Sequence, residues 1–530
     1  MKNSAFILFV AINITFSGFS QGCLPGGIIF STQEQIDNFQ TNYPGCIYIY
    51  GNVTINGDDI SELSGLSVLT KIGGDLTIGQ EFPPSNPLLY DLTGLEALTT
   101  IQGSLSIGSN QSLTTLSALS NLNQISGFLK IFNNASLTNL TGLENINVGA
   151  YLAITENSAL ETLNGLNGIT TFGSDIFIQN NDALQDLTGL NNLVSTTGAI
   201  SIQHNNGITS LNGLNSLVSV GAGLTIAHND HLESMDGLQN LQTVNSSLTL
   251  SDNDMMTHLT GPDNLQSIGN DFTVDQNNSL ADLTGLNSLT SVNGGITIIG
   301  NVSLVAPEGL EHLEYCGGGM IIGNNNSMTS LNGLENLITI GDGISIFSNP
   351  ELSNLIALQN LTSISPTGPY GYLEVYYNNT LTALAGLENI AAGSVNDLYI
   401  ENNPVLSTCD VQSICDYLAA PNGTVSIMNN APGCNSSGEV LEACWSNTEG
   451  KTATTGEIMI LPNPATDKIY IVNPRGLKIK ELMIVTTTGV TAYQQREPAS
   501  ETDISGLCRG MYFVRVVLEK KTETMKLIVE

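Results

Sequence analysis

Few residues in this sequence are able to do chemistry at a defined spacing. His204 and His228 stand 24 positions apart, and Asp252 follows after another 24. If the chain turns once every 24 residues, these side chains stack about 5 Å apart, near enough to share a metal ion. The same column also holds Asn180, Gln276 and Gly300, so its first reading is a polar turn position. Acids number 48, and two of them across a cleft would suit a β-helix glycoside hydrolase. Neither G-x-S-x-G nor H-E-x-x-H occurs, which removes two common hydrolase patterns. A polysaccharide lyase needs cations against the substrate carboxylate, and residues 21–456 contain no arginine. The expectation is a protein that is not an enzyme and carries no cofactor.

Recognition by aromatic side chains is better supplied. In each L-x-I segment the residue between the apolar pair, and the one after it, should point outward. Ser201, Thr225, Thr249, Thr273 and Thr297 form one such small, polar column. Nearer the C-terminus the outward residues become Ile299, Ile321, Phe347, Tyr376 and Tyr399, and the inserted stretch SPTGPYGYLEVYY adds Tyr370 and Tyr372. Together they would form a contact surface able to stack on neutral sugars or anchor a protein. The competing reading folds the insertion over them and buries them.

The elements that must hold these residues repeat. Aligned on L-x-G-L, Gly142 is followed by Gly165, 23 residues on, and then every 24 residues to Gly333. Gly65, Gly94 and Ala118 extend the series upstream, and Ala357 and Gly386 extend it downstream, with five extra residues in the first and last steps. A period this short, with apolar alternation broken by Gly and Asn, predicts a parallel β-solenoid of fourteen rungs. One unit cannot bury its own leucines, but stacked units can. Thirteen asparagines, Asn110, Asn134, Asn157, Asn181, Asn205, Asn229, Asn253, Asn277, Asn301, Asn325, Asn349, Asn378 and Asn403, fall at one place in the repeat. They predict a structural ladder of side-chain amides.

A solenoid must close its ends. At the start, Ser31 and Glu34 suggest a capping box, with Ile36, Phe39 and Tyr43 on the apolar face of a short helix. Cys23 and Cys46 would pin it. At the other end Cys409, Cys415, Cys434 and Cys444 suggest a second stapled cap, with their pairing open. Residues 1–20 read as a secretory signal peptide, and no later stretch is apolar enough to span a membrane. Residues 21–456 hold three lysines against 39 acids, whereas ten of the 14 Lys and Arg lie between Glu457 and Glu530. So acidic a region excludes nucleic-acid binding.

Two resemblances follow. The helix with flanking cysteines, then IYGNVTING and the G-x-L-x-I…N rungs, resembles the receptor L-domain family over roughly residues 23–444. That family forms ligand-binding lobes of growth-factor and insulin-type receptors. The resemblance implies a right-handed parallel β-solenoid related to leucine-rich repeats. The C-terminal stretch resembles the sorting domain of the type IX secretion system of Bacteroidota. The matching residues are Pro462-Asn463-Pro464, Asp467, Gly489, Leu507, Gly510, Met511-Tyr512 and Lys526-Leu527, although the end, Ile528-Val529-Glu530, lacks the family's usual basic residue. This implies export to the medium or the outer cell surface, the secretion machinery as a partner, and removal of the tail afterwards.

The chain therefore divides into a signal peptide (1–20), an N-terminal cap (21–57), an all-β solenoid (58–407), a disulfide-rich cap (408–445), a linker (446–457) and a small sorting β-sandwich (458–530). The expected function is non-enzymatic binding of a glycan or a surface protein. The alternatives are a purely structural surface or adhesin protein and a β-helix glycosidase.

Overall fold

A computed structural model describes residues 22–80, 86–366, 371–446, 458–473, 477–519 and 521–529. The signal segment, Tyr370 and most of the linker lie outside the described residues. The chain packs as two compact units, one ending at Ala159 and one beginning at Leu160.

Both units contain parallel β-solenoid, and the fold has about 17 turns. In the first unit the strands Ile28–Phe30, Val53–Ile55, Leu76–Ile78, Leu105–Gly108, Leu129–Phe132 and Leu152–Thr155 pair in parallel. In the second, parallel pairing runs from Ile176–Gln179 to Val425–Met428. Each unit also has a narrower sheet of two-residue strands, such as Gln124–Ile125 and Ser291–Val292. The fourteen expected rungs fall short because the caps contribute strands of their own: Ile28–Phe30, Val53–Ile55 and Val425–Met428.

The repeat sequence explains the coil. Leu283, Leu286, Leu289, Val292, Ile296 and Ile298, all from one turn, are fully buried. Gly285 has φ +113°, and a Cβ there would sit 2.1 Å from the Leu259 carbonyl oxygen of the turn before. Only glycine fits that approach. Where Ala118 and Ala357 replace the glycine, the chain takes 3-10 turns instead, Ser117–Leu119 and Ile356–Leu358.

The asparagines form the ladder. All thirteen are fully buried. Asn277 Oδ1 accepts from the backbone N–H of Asn253 at 3.1 Å and from its Nδ2 at 3.2 Å, and Asn277 Nδ2 donates to the Leu250 carbonyl at 3.0 Å. Two further asparagines belong to it: Asn86 donates to Asn110 Oδ1, and Asn430 Oδ1 accepts from Asn403. The residue before most ladder asparagines has positive φ, as at His204 (54°), His228 (53°), Asp252 (53°) and Gln276 (54°). Polar residues and glycine fill this column because they tolerate the left-handed region.

The N-terminal capping box is one residue later than expected. Thr32, not Ser31, caps the helix Gln33–Asp37, and its reciprocal partner is Gln35, not Glu34. Thr32 has the extended backbone of an N-cap (φ −141°, ψ 153°), and the Gln35 side chain reaches back to the backbone N–H groups of Ser31 and Thr32. A second short helix, Phe39–Asn42, follows, and Ile36 and Phe39 are fully buried. Cys23 pairs with Cys46, Cys409 with Cys434 and Cys415 with Cys444. Cys316 and Cys508 are free. Burial pushes the Cys316 thiol up to about 12.

The C-terminal region folds into a three-stranded and a four-stranded antiparallel sheet. Between them lies a core that includes Ile460, Ile469, Ile471, Leu482, Ile484, Val514, Val516 and Leu527. Among the described residues no helix is long and apolar enough to cross a membrane.

Candidate functional site

The outward face of the main sheet is set by strand alternation. In register, one column reads Thr273, Thr297, Ile321, Ser345, Glu374, Tyr399 and Ser426. The neighbouring column reads Asp275, Ile299, Gly323, Phe347, Tyr376, Glu401 and Met428. Tyr372 opens a third, between Gly343 and Asp397. Ile299, Ile321, Phe347, Tyr372, Tyr376 and Tyr399 are each half-buried, so they share one face but occupy three columns.

The rings interlock. The Phe347 ring lies over Gly323, where a Cβ would come within 2.4 Å of it. Tyr376 stacks on Phe347, with centroids 5.1 Å apart and planes 5° apart. Tyr377 meets Tyr376 edge-on at 5.8 Å. Tyr377 holds φ 57° and is 53% exposed, a strained and solvent-facing place for an aromatic residue. The Tyr372 ring leans back over Gly343, and its hydroxyl reaches Gly319. Burial, and then the carboxylates of Glu374 and Asp342, push that hydroxyl above the usual tyrosine range.

Two polar groups sit among the rings. Ser345 is 4% exposed, and its hydroxyl has no hydrogen-bond partner. By contrast, Ser201, six turns away in the same column, accepts from Gln179 and Gln203. Glu374 is half-buried. Among the described residues its carboxylate has neither a hydrogen bond nor an ion pair.

The histidine column also comes together. The His204 and His228 rings stack 4.4 Å apart with planes 3° apart, and His228 Nδ1 is 3.7 Å from Asp252 Oδ2. Parallel rings aim their in-plane nitrogens alongside one another rather than at one point, unlike a tetrahedral metal site. Among the described residues no three His, Cys, Asp or Glu side chains converge on a possible metal position.

The sorting residues are spread over the C-terminal sheets, and Asn463 ties the first turn to the last strand. Asn463 Nδ2 donates to the Lys526 carbonyl at 2.6 Å, and its Oδ1 accepts from the Ile528 N–H at 2.8 Å. Pro462 and Pro464 flank it in the turn after Met459–Leu461. The Asp467 carbonyl accepts from the Ile504 N–H at 2.7 Å. Gly489 turns a hairpin with φ 84°. Gly510 begins the long strand Gly510–Leu518, within which the Tyr512 hydroxyl donates to the Cys508 carbonyl. Lys526 pairs with Phe513 and is exposed.

Residues 459–530 match the family described as Secretion system C-terminal sorting domain. Residues 315–420 match the Receptor L domain. No curated protein matches the chain. The sorting domain marks the protein for export through the type IX secretion system, to the medium or the cell surface. The Receptor L domain match spans Ile321 through Tyr399 and so covers most of the aromatic face.

Sequence reasoning missed Ser345, Glu374 and Tyr377, which share this face. It also missed a second outward aromatic group in the first unit. There the Phe128 and Tyr151 rings stack at 4.7 Å, and the Lys130 ammonium lies 4.2 Å from the centre of the Phe132 ring. The same column reading, applied to the earliest rungs, would have found it.

Proposed function

We propose that this protein is a non-enzymatic binding protein acting outside the cell. The outward face of its turns from Ile321 to Glu401 engages a glycan or a surface protein. One observation carries the reading: the outward residues change from small and polar to aromatic within the stretch that matches the Receptor L domain. The Thr225, Thr249, Thr273 and Thr297 column ends at Ile321, and Phe347, Tyr372, Tyr376, Tyr377 and Tyr399 follow. Large amphipathic rings on a rigid sheet bind at little cost in conformational entropy. Type IX export supports the reading by placing this face where extracellular partners are. The test is a screen of the secreted protein against glycans and surface proteins, repeated with Tyr376→Ala and Tyr399→Ala combined. The expected result is a specific ligand that the double variant loses. A ligand held equally by the variant would move the binding site elsewhere.

A further inference from the structure

Glu374 occupies an unusual position on this face. Along its own strand its outward neighbours are Tyr372 and Tyr376, each about 6.6 Å away from Cα to Cα. Across the sheet they are Ser345 and Tyr399, directly in register and about 4.8 Å away. The outward neighbours of this half-buried residue are thus three tyrosines and one buried serine. No lysine or arginine of the described residues pairs with Glu374. On the next strand Glu401 is already engaged, accepting from the Ser426 hydroxyl, and Asp397 accepts from the Thr424 N–H.

A solvent-accessible carboxylate with no ion pair is free to take a cationic partner. A cation over tyrosine faces gains from the ring quadrupoles as well as from the carboxylate. A neutral sugar would leave the charge on Glu374 uncompensated. A hard divalent ion would need several oxygen ligands, and the pocket supplies one carboxylate. The formal net charge of −34 further concentrates cationic partners near the surface.

We propose that Glu374, Tyr372, Tyr376 and Tyr399 form a pocket for a cationic side chain, the guanidinium or ammonium of an arginine or lysine presented by a protein partner. Glu374 supplies the counter-charge, and the tyrosines supply the faces. This rests on the aromatic face being the binding surface, and it names the partner as a protein rather than a glycan.

The test uses the full chain and three probes: a short peptide with one central arginine, the same peptide with citrulline in its place, and cellohexaose as a neutral sugar. Binding is followed by ligand-observed NMR at low and high salt. The arginine peptide should bind, weaken with salt, and lose about tenfold in affinity with Glu374→Gln. Tyr376→Leu should weaken it about threefold or more. Glu233→Gln removes an exposed charge elsewhere and should leave binding unchanged. Equal binding of the citrulline peptide, or wild-type affinity in Glu374→Gln, overturns the cation pocket. Salt-independent binding of cellohexaose that needs Tyr376 but not Glu374 also overturns it, while leaving the aromatic face as the binding surface. Arginine-peptide binding that survives loss of both Tyr376 and Tyr399 overturns the face itself.

Discussion

At the scale of single residues, the asparagine ladder carries the most interactions per side chain. Asn277 donates to the carbonyls of Leu250 and Asp275 and to Asn301 Oδ1, and accepts twice from Asn253. Asn277→Ala strands several of these buried groups at once. Each costs about 1–3 kcal/mol when left without a partner, so the loss should be about 3–5 kcal/mol. Asn277→Asp should be no better, because it deletes the donors and buries a charge. Urea unfolding, with hydrogen exchange on the strands Leu248–Ser251 and Phe272–Asp275, measures both. Wild-type stability in Asn277→Ala would mean the ladder is decorative. Thirteen ladder positions were legible because they recur in step. Asn430 was not, since it follows Asn403 by 27 residues and sits among the cap cysteines. Ser345 and Glu374 were missed for a different reason. Their importance lies in what they fail to contact, and only side-chain positions reveal that.

At the scale of elements, the coil turns on a few glycines that its stacking makes irreplaceable. Gly285→Ala forces a Cβ against the Leu259 carbonyl while the backbone holds φ +113°. Strain of this kind costs about 1–3 kcal/mol or somewhat more, since the backbone of one turn must shift against the next. Ala357→Gly lies in a 3-10 turn with ordinary backbone and should cost only about 1 kcal/mol or less. Thermal unfolding of the two variants should therefore separate clearly, with Gly285→Ala the lower. Equal midpoints would show that the turn can switch to the 3-10 form freely. The alternation of L-x-I made the strands and their outward columns readable. The capping box slipped by one because the STQEQ stretch offers both Ser31 with Glu34 and Thr32 with Gln35. Backbone geometry, not side-chain type, decides between them. The aromatic face was readable as a list of residues but not as an interlocked stack, which depends on Gly323 and Gly343 leaving room for the rings of Phe347 and Tyr372.

At the scale of the whole molecule, charge and export are linked. The full chain has a sequence isoelectric point of about 4.1, yet ten of its 14 cations lie beyond Gly456, beside only nine of its 48 acids. Near pH 4 carboxylates are half protonated while lysine and arginine stay charged, so the sorting domain is a net cation there. Cleavage of this domain after export would lower the isoelectric point. Two carboxyls in the turns favour the folded state as the pH falls toward this range. At Asp397 the Thr424 N–H outweighs burial and holds the carboxyl below its ordinary value. At Asp282 burial acts upward, but the hydrogen bonds from Thr284 and His258 win and the net shift is also downward. Carboxyls lowered by folding contribute stability that is full above their unfolded value of 3.8 and is lost progressively as pH falls from there through the lowered one. Isoelectric focusing of the cell-associated precursor and the released protein should therefore give two bands, the released one more acidic than the full chain. A released species that focuses at the precursor's position would show that the tail stays on outside the cell.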